Sequence, residues 1–211
     1  MKDIMPLLKI MQMTRNQPMY GYQFSVRSKG EVSDLAQHHY LVTFIAWQLA
    51  LAAERAGAKV NVRRVIELSL VHDSAELFGG DINFSYARAY PEARKAAKQM
   101  QAETTKFIIQ KAGSAGKYIG SVFVEGEEKL TDEAVIARVA DHAECQLYRW
   151  YIRQVNKASS DNLLAIMCQN AERAKDTKLR TILVNFSKTC KLALKHDDLE
   201  DMVAKKAKMV D

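Results

Sequence analysis

The segment "LVHDSAELFGGD", Leu70 to Asp81, closes an amphipathic run, "VNVRRVIELSLV", and sets a histidine beside an aspartate where an apolar helix face should continue. Residues at i, i+3 and i+4 share a helix face. Val65, Leu68, His72 and Ala75 form one such stripe, and Ile66, Leu70, Asp73 and Leu77 form its neighbour. Each is apolar except for its titratable member. A buried carboxylate needs a cation or strong donors to offset its lost hydration. The spacing therefore predicts a helix that carries a buried polar site, ending at Gly79 and Gly80.

Two more stripes are interrupted in the same way. His38 breaks Leu35, Val42, Ile45 and Leu49, and Asp141 breaks Ala134, Ala137, Cys145 and Tyr148. Taken singly, each has an ordinary explanation. A histidine on an apolar face is often a satisfied core residue, and Asp141 has Arg138 and Arg149 close by in sequence. Taken together, His38, His72, Asp73 and Asp141 are all ligand types on buried faces of three helices. They point to one divalent transition-metal ion, with Mn, Co, Fe, Ni and Zn not distinguished. Mixed nitrogen and oxygen donors suit such an ion better than Ca²⁺, whose ligands are oxygens.

The rest of the chain reads as helix, giving an all-α fold. Pro6 fits a first helical turn, Ser33 is the expected N-cap of a helix reaching about Gly57, and Asn61 the cap of the next. Pro91 opens a charged helix, and Thr131, followed by Asp132 and Glu133, opens another. The stretch from Gly113 to Glu128 is expected to be irregular, with "YIGSVFV" a candidate strand lacking a partner. Two helices and a solvated helical tail follow. One domain over residues 1–211 is expected, with its core at about 32–150 and a helical extension at about 160–211.

Composition narrows the class. The chain is 48% hydrophobic and 27% charged, as in ordinary soluble domains. The longest apolar run, "LVTFIAWQLALAA", falls short of the roughly 20 residues that cross a bilayer. Its opening, "MKDIMPLLKIMQMTRNQ", lacks the pattern of a secretory signal, and three scattered cysteines suit a reducing compartment. A cytoplasmic protein without membrane contact is expected. The formal net charge of +6 suits an anionic substrate or a plain solvated surface.

The segments "VSDLAQHHYLVTFIAWQLA", "VNVRRVIELSLVHDSAELFGGDIN" and "TDEAVIARVADHAECQLY" make the chain resemble the HD-domain metal-dependent phosphohydrolases. The nearest subfamily is the 5′-deoxynucleotidases, over about Val32 to Trp150. The family pattern is a histidine, a His-Asp pair and a distant aspartate. Here 34 residues separate His38 from His72, and 68 separate Asp73 from Asp141. Val42, four residues on, marks His38 rather than His39 as the ligand. The resemblance implies that Glu76 and Asp81 orient water and protonate the leaving oxygen. Taken alone, Glu76 also fits a solvent-facing helix position, and Asp81 a helix cap. By the same resemblance Arg15 is the phosphate contact and Tyr22 or Tyr20 the nearby aromatic, with Arg27 a competitor. No histidine lies between Ser74 and Ala140, which favours one ion over two.

The sequence also departs from the family. Gln37 replaces an acid, His39 replaces a serine, and "INFSYARAYP" lacks a proline-containing stretch that shapes the sugar pocket. The leading expectation is hydrolysis of a deoxynucleoside 5′-monophosphate. A compact dNTP triphosphohydrolase is the alternative, with Lys117, Arg88 or Arg94 meeting the outer phosphates. A nucleic-acid-binding helical protein ranks last, because Lys and Arg are spread among acids. A homodimer is expected, with the helices after Ser159 as its apolar faces.

Overall fold

Side-chain caps set where the main helices start. In the computed structural model Asp34 accepts from the backbone N–H of Gln37 and begins α2 (Leu35–Arg55). The cap is therefore Asp34, not the expected Ser33, whose own N–H donates to the Tyr148 hydroxyl at 3.0 Å. An aspartate places a charged acceptor at the positive end of the helix dipole, which a serine does not. Asn61 caps α3 (Val62–Val71) and Thr131 caps α7 (Asp132–Tyr151), as the sequence indicates. The structure describes residues 2–22, 32–129, 131–153 and 157–194. The expected C-terminal tail helix lies outside them.

The remaining helices are α1 (Met5–Met11), α4 (Phe84–Ala89), α5 (Pro91–Lys111), α6 (Gly116–Glu128), α8 (Lys157–Ala171) and α9 (Thr177–Ala193). Among the described residues there is no β-strand, only two isolated bridges. The fold is all-α. None of its described helices is long and apolar enough to cross a membrane.

Helices α2, α3 and α7 pack on one another and form the frame of the site. Val42, Ala46 and Leu49 of α2 meet Val65 of α3 and Ile136 and Val139 of α7 in the main core. Leu164 and Met167 of α8 and Leu179 and Leu183 of α9 belong to that same core. Part of the apolar surface of the helices after Ser159, expected to serve a second copy, is thus used within the chain itself.

Two further expectations are corrected. The first concerns α3, which ends at Val71 rather than running to Gly79. Asp73 leaves helical geometry at φ −108, ψ 13, and a short 3₁₀ turn follows at Ser74–Glu76. That bridge-region backbone is common where a side chain must be aimed at a site. The second concerns "YIGSVFV", which is helical. Ile119, Val122 and Phe123 stand at helical spacing, Phe123 is buried, and Val122 buries against Leu68 of α3 and Ala134 and Ala137 of α7, where a strand would have no edge to pair with. The short contact that permits this is at Gly116 and Gly120, both set against Ile109 of α5.

A Cβ at Gly116 would lie 2.5 Å from the Ile109 carbonyl oxygen, a backbone atom that cannot turn aside. Gly116→Ala is therefore expected to destabilise the fold by about 1–3 kcal/mol through overpacking. A denaturation midpoint equal to that of the parent chain would show that the two helices separate freely.

Candidate metal centre

His38 leaves α2 on its core face, and His72 and Asp73 follow the end of α3. Asp141 comes from the middle of α7. The four offer one donor atom each within 4.8 Å of one another. His38 Nε2 lies 3.1 Å from His72 Nε2 and 3.5 Å from both Asp73 Oδ2 and Asp141 Oδ1. His72 Nε2 is 3.3 Å from Asp73 Oδ2 and 3.9 Å from Asp141 Oδ1. Ligands at about 2.1 Å from a shared ion stand roughly 3 Å apart when adjacent and about 4 Å when opposite. The cluster therefore has the dimensions of a divalent transition-ion site.

The surroundings of the imidazoles argue for a cation. His38 Nδ1 faces Glu144 Oε2 at 2.7 Å, and His72 Nδ1 faces the Ser69 carbonyl oxygen at 2.7 Å. Both partners are acceptors, so both Nδ1 atoms carry hydrogen. The two Nε2 lone pairs then converge on each other and on two carboxylates, an arrangement that only positive charge relieves. Proton affinities tell the same story. Burial opposes charge on His38, yet hydrogen bonds with Asp141, Asp73 and Glu144 raise its pKa well above the usual value. Burial likewise opposes ionisation of Asp73, but the positive charge and hydrogen bonds of His72 and His38 hold it well below the carboxylate range. Asp141 is also lowered, with Arg138 the largest favourable cause. Arg138 Nη1 donates to Asp141 Oδ2 at 2.9 Å while Oδ1 faces the cluster. The ion pair thus leaves Oδ1 free to serve as a metal ligand.

His39 is buried but contributes no donor to the cluster. Its ring centroid stands 5.0 Å from that of His72, its Nε2 has no hydrogen-bond partner, and burial pushes its pKa down to about 3.

Glu76 enters the same space. Gln101 Nε2 donates to its Oε1 at 3.0 Å and also to the Gly80 carbonyl oxygen at 3.0 Å. Burial, then the charges of Asp73, Asp81 and Asp141, raise the Glu76 pKa well above its ordinary value. Asp81 accepts from the Gly21 N–H at 2.7 Å and is raised to about 6, chiefly by burial. It ties the N-terminal segment to the loop after α3. Arg15 is exposed, and its Nε donates to Gln12 Oε1 in its own 3₁₀ turn. The side chain of Tyr22 and all of Arg27 lie outside the described residues.

A cavity of about 280 Å³ opens beside the cluster, lined by His72, Asp73, Glu76 and Gln101 and by Arg94, Lys98, Lys129 and Arg138. A larger groove of about 970 Å³ runs past Met11, Phe44, Trp47 and Ile66, but its lining is mostly apolar and holds none of the four ligands. Volume alone would misplace the chemistry.

The sequence left Glu144, Gln101, Lys98 and Lys129 unremarked. Only Glu144 carried a signal, as a further charged residue on the buried face of α7, one turn after Asp141. The other three lie on segments that look solvated.

A helical frame with two histidines and two aspartates around one ion-sized space, opening on a basic cavity, defines the class as a metal-binding protein that handles anions. The HD-domain model matches residues 24–183, and the chain belongs to the HD-domain family of metal-dependent phosphohydrolases. A 5′-deoxynucleotidase of Vibrio vulnificus is 28% identical over 109 residues, which are 51% of this chain and 56% of that protein. The match thus spans little more than half the length of that relative. The PH0347 protein of Pyrococcus horikoshii superposes with a TM-score of 0.66 at 20% identity, covering 87% of this chain and 98% of that one. An HD-domain phosphohydrolase of Listeria innocua gives 0.52 at 22% identity, covering 94% and 89% respectively. Both likenesses concern the fold.

Divalent metal should raise the melting temperature by an amount that grows with its concentration, and Asp141→Ala should abolish that shift together with bound metal in elemental analysis. Full occupancy in the variant would remove Asp141 from the ligand set. Glu144→Ala should weaken metal affinity by about 10–100-fold, as expected when a histidine ligand loses its orienting partner. Unchanged affinity in a competition titration would make that contact incidental.

Proposed function

We propose that this hydrolase removes the phosphate of deoxynucleoside 5′-monophosphates. The observation that carries the reading is that His72 and Asp73, two of the four clustered side chains, line one basic cavity together with Glu76. The likeness to the Vibrio vulnificus 5′-deoxynucleotidase supports the choice of ester. A divalent ion held by the four side chains supplies Lewis-acid polarisation and makes water nucleophilic near neutral pH.

The chain's own residues account for the remaining needs. Arg138, Lys129, Lys98 and Arg94 present positive charge to the phosphate oxygens, and Arg138 does so from a position fixed by Asp141. Glu76, held by Gln101, is the group that gives a proton to the departing O5′. The raised proton affinity of its buried carboxyl supports that role. Water is consumed, the P–O5′ bond breaks, and the products are a deoxynucleoside and phosphate. A nucleic-acid role has less support, because these cations converge on one small cavity rather than spreading along a face.

Metal-loaded protein incubated with each dNMP and NMP should release phosphate, with the deoxy series faster. Release from none of them would refute the proposal. Glu76→Gln should retain the ion and lose about 10²-fold or more in turnover. Turnover near that of the parent would remove Glu76 from proton transfer.

A further inference from the structure

The side chain of Gln101, on α5, grips the loop after α3 at two points. Its Nε2 donates to Glu76 Oε1 and to the Gly80 carbonyl oxygen, each at 3.0 Å. A backbone carbonyl can only accept, so the amide nitrogen faces this pair, and both of its hydrogens are committed. Glu76 ends the 3₁₀ turn at Ser74–Glu76, and Gly80 precedes Asp81, which accepts from the Gly21 N–H at 2.7 Å. One amide therefore spans the two segments that carry Glu76 and Asp81.

The approach is close enough to require glycine. Gly80 stands at φ 97, and a Cβ there would lie 2.9 Å from Gln101 Cγ and 3.4 Å from the Ala97 carbonyl oxygen. Gly79, at φ 106, would place a Cβ 3.2 Å from Met100 Cε. Ala97, Met100 and Gln101 share one face of α5, so the loop lies directly on that face. Of the three, Gln101 supplies the side-chain bonds to it.

The direction of these bonds decides where Glu76 holds a proton. In a carboxylic acid the carbonyl oxygen is the better acceptor and the hydroxyl oxygen the donor. Oε1 accepts from Gln101, so it is the carbonyl oxygen of the protonated form. The hydrogen then sits on Oε2, the oxygen left for the cavity that Glu76 lines.

We infer that Gln101 is a positioning residue for the acid step, selecting Oε2 of Glu76 as the proton-bearing oxygen and, through Gly80, holding the loop that aims it. The inference rests on the hydrolytic reading above and adds to it a residue that acts through Glu76. As the P–O5′ bond breaks, its electron pair stays on O5′, the Oε2–H bond breaks, and O5′ takes the proton. Glu76 is left as a carboxylate, and the bond from Gln101 to Oε1 becomes charge-assisted, roughly twice as strong as before. Gln101 thus favours the state after proton transfer over the state before it. One proton of the consumed water restores the acid.

Gln101→Met keeps the length of the side chain and its Cγ beside Gly80 but removes both donors. With a dNMP, whose alkoxide needs a proton to leave, kcat should fall about 10-fold or more while KM stays within about 2-fold. With p-nitrophenyl phosphate, whose phenolate leaves without a proton, kcat should fall less than about 3-fold. In a Glu76→Gln background, Gln101→Met should cost little more, because both residues act on one proton. Gln101→Asn, too short to reach both acceptors, should repeat the pattern and replaces the methionine variant if that one does not fold. Equal losses on the two esters, or full multiplication of the two effects, overturns the inference. Exchange of the Gly21 amide hydrogen reads the loop without turnover, and should quicken about 10-fold or more in Gln101→Met. Parent protein that cleaves other alkyl phosphates but no dNMP would refute the substrate choice alone, and the same comparison then applies to those esters. Parent protein inert toward every phosphate ester would refute the hydrolytic reading and the acid step with it, and unchanged Gly21 exchange would refute the hold on the loop.

Discussion

Two imidazole nitrogens held 3.1 Å apart are the constraint on which the rest of this structure turns. Their outer nitrogens face acceptors, Glu144 on one side and the Ser69 carbonyl on the other. The inner nitrogens then face each other, and Asp73 and Asp141 add negative charge to the same space. Without a metal ion, only a proton on an inner nitrogen relieves this crowding of lone pairs and carboxylates, which is why the proton affinity of His38 is raised within a core that buries it completely. A bound cation relieves the crowding. The arrangement is therefore unfavourable alone and favourable with metal, a coupling of fold to ion that is common in metal sites.

Positioning follows from local backbone choices as much as from packing. Had α3 continued regularly to Gly79, Asp73 would have stayed on the helical stripe with Ile66 and Leu70. The break at φ −108, ψ 13 lets its carboxylate meet His38 and His72 instead. The 3₁₀ turn that follows delivers Glu76 to the cavity, where Gln101 ties it to the Gly80 carbonyl. Gly79 and Gly80 at φ 106 and 97 then turn the chain toward Asp81 and its bond to Gly21.

The four clustered side chains were legible in the sequence as candidate ligands because burial of charge is costly, so each stood out against an apolar stripe. Caps and helix starts were legible for the same local reason, though Ser33 and Asp34 compete for one role and only geometry ranks them. The helix α6 was misread because Val, Ile and Phe suit strands on propensity alone. Its helical course depends on Gly116 and Gly120 meeting Ile109 on another helix, a tertiary fact with no local mark. The basic cavity was legible only in pieces: Arg94 and Arg138 were singled out separately, but the four cations come from α5, the end of α6 and α7, and Lys98 and Lys129 look like ordinary solvated residues in their own segments.

Arg138 links the two halves of the site. One of its nitrogens reaches Asp141, on the oxygen turned away from the cluster, and the guanidinium also lines the cavity. A guanidinium has five donors on a rigid plane, so a bond to the ligand fixes the direction of those that remain. Asp141 is thereby held as a carboxylate against its burial, and Arg138 is held at the cavity wall against its own flexibility. An anion drawn to that wall is oriented by the group that secures an Asp141 oxygen for the metal. Metal affinity and anion affinity should therefore depend on each other through this single ion pair, even though the two ligands meet different atoms.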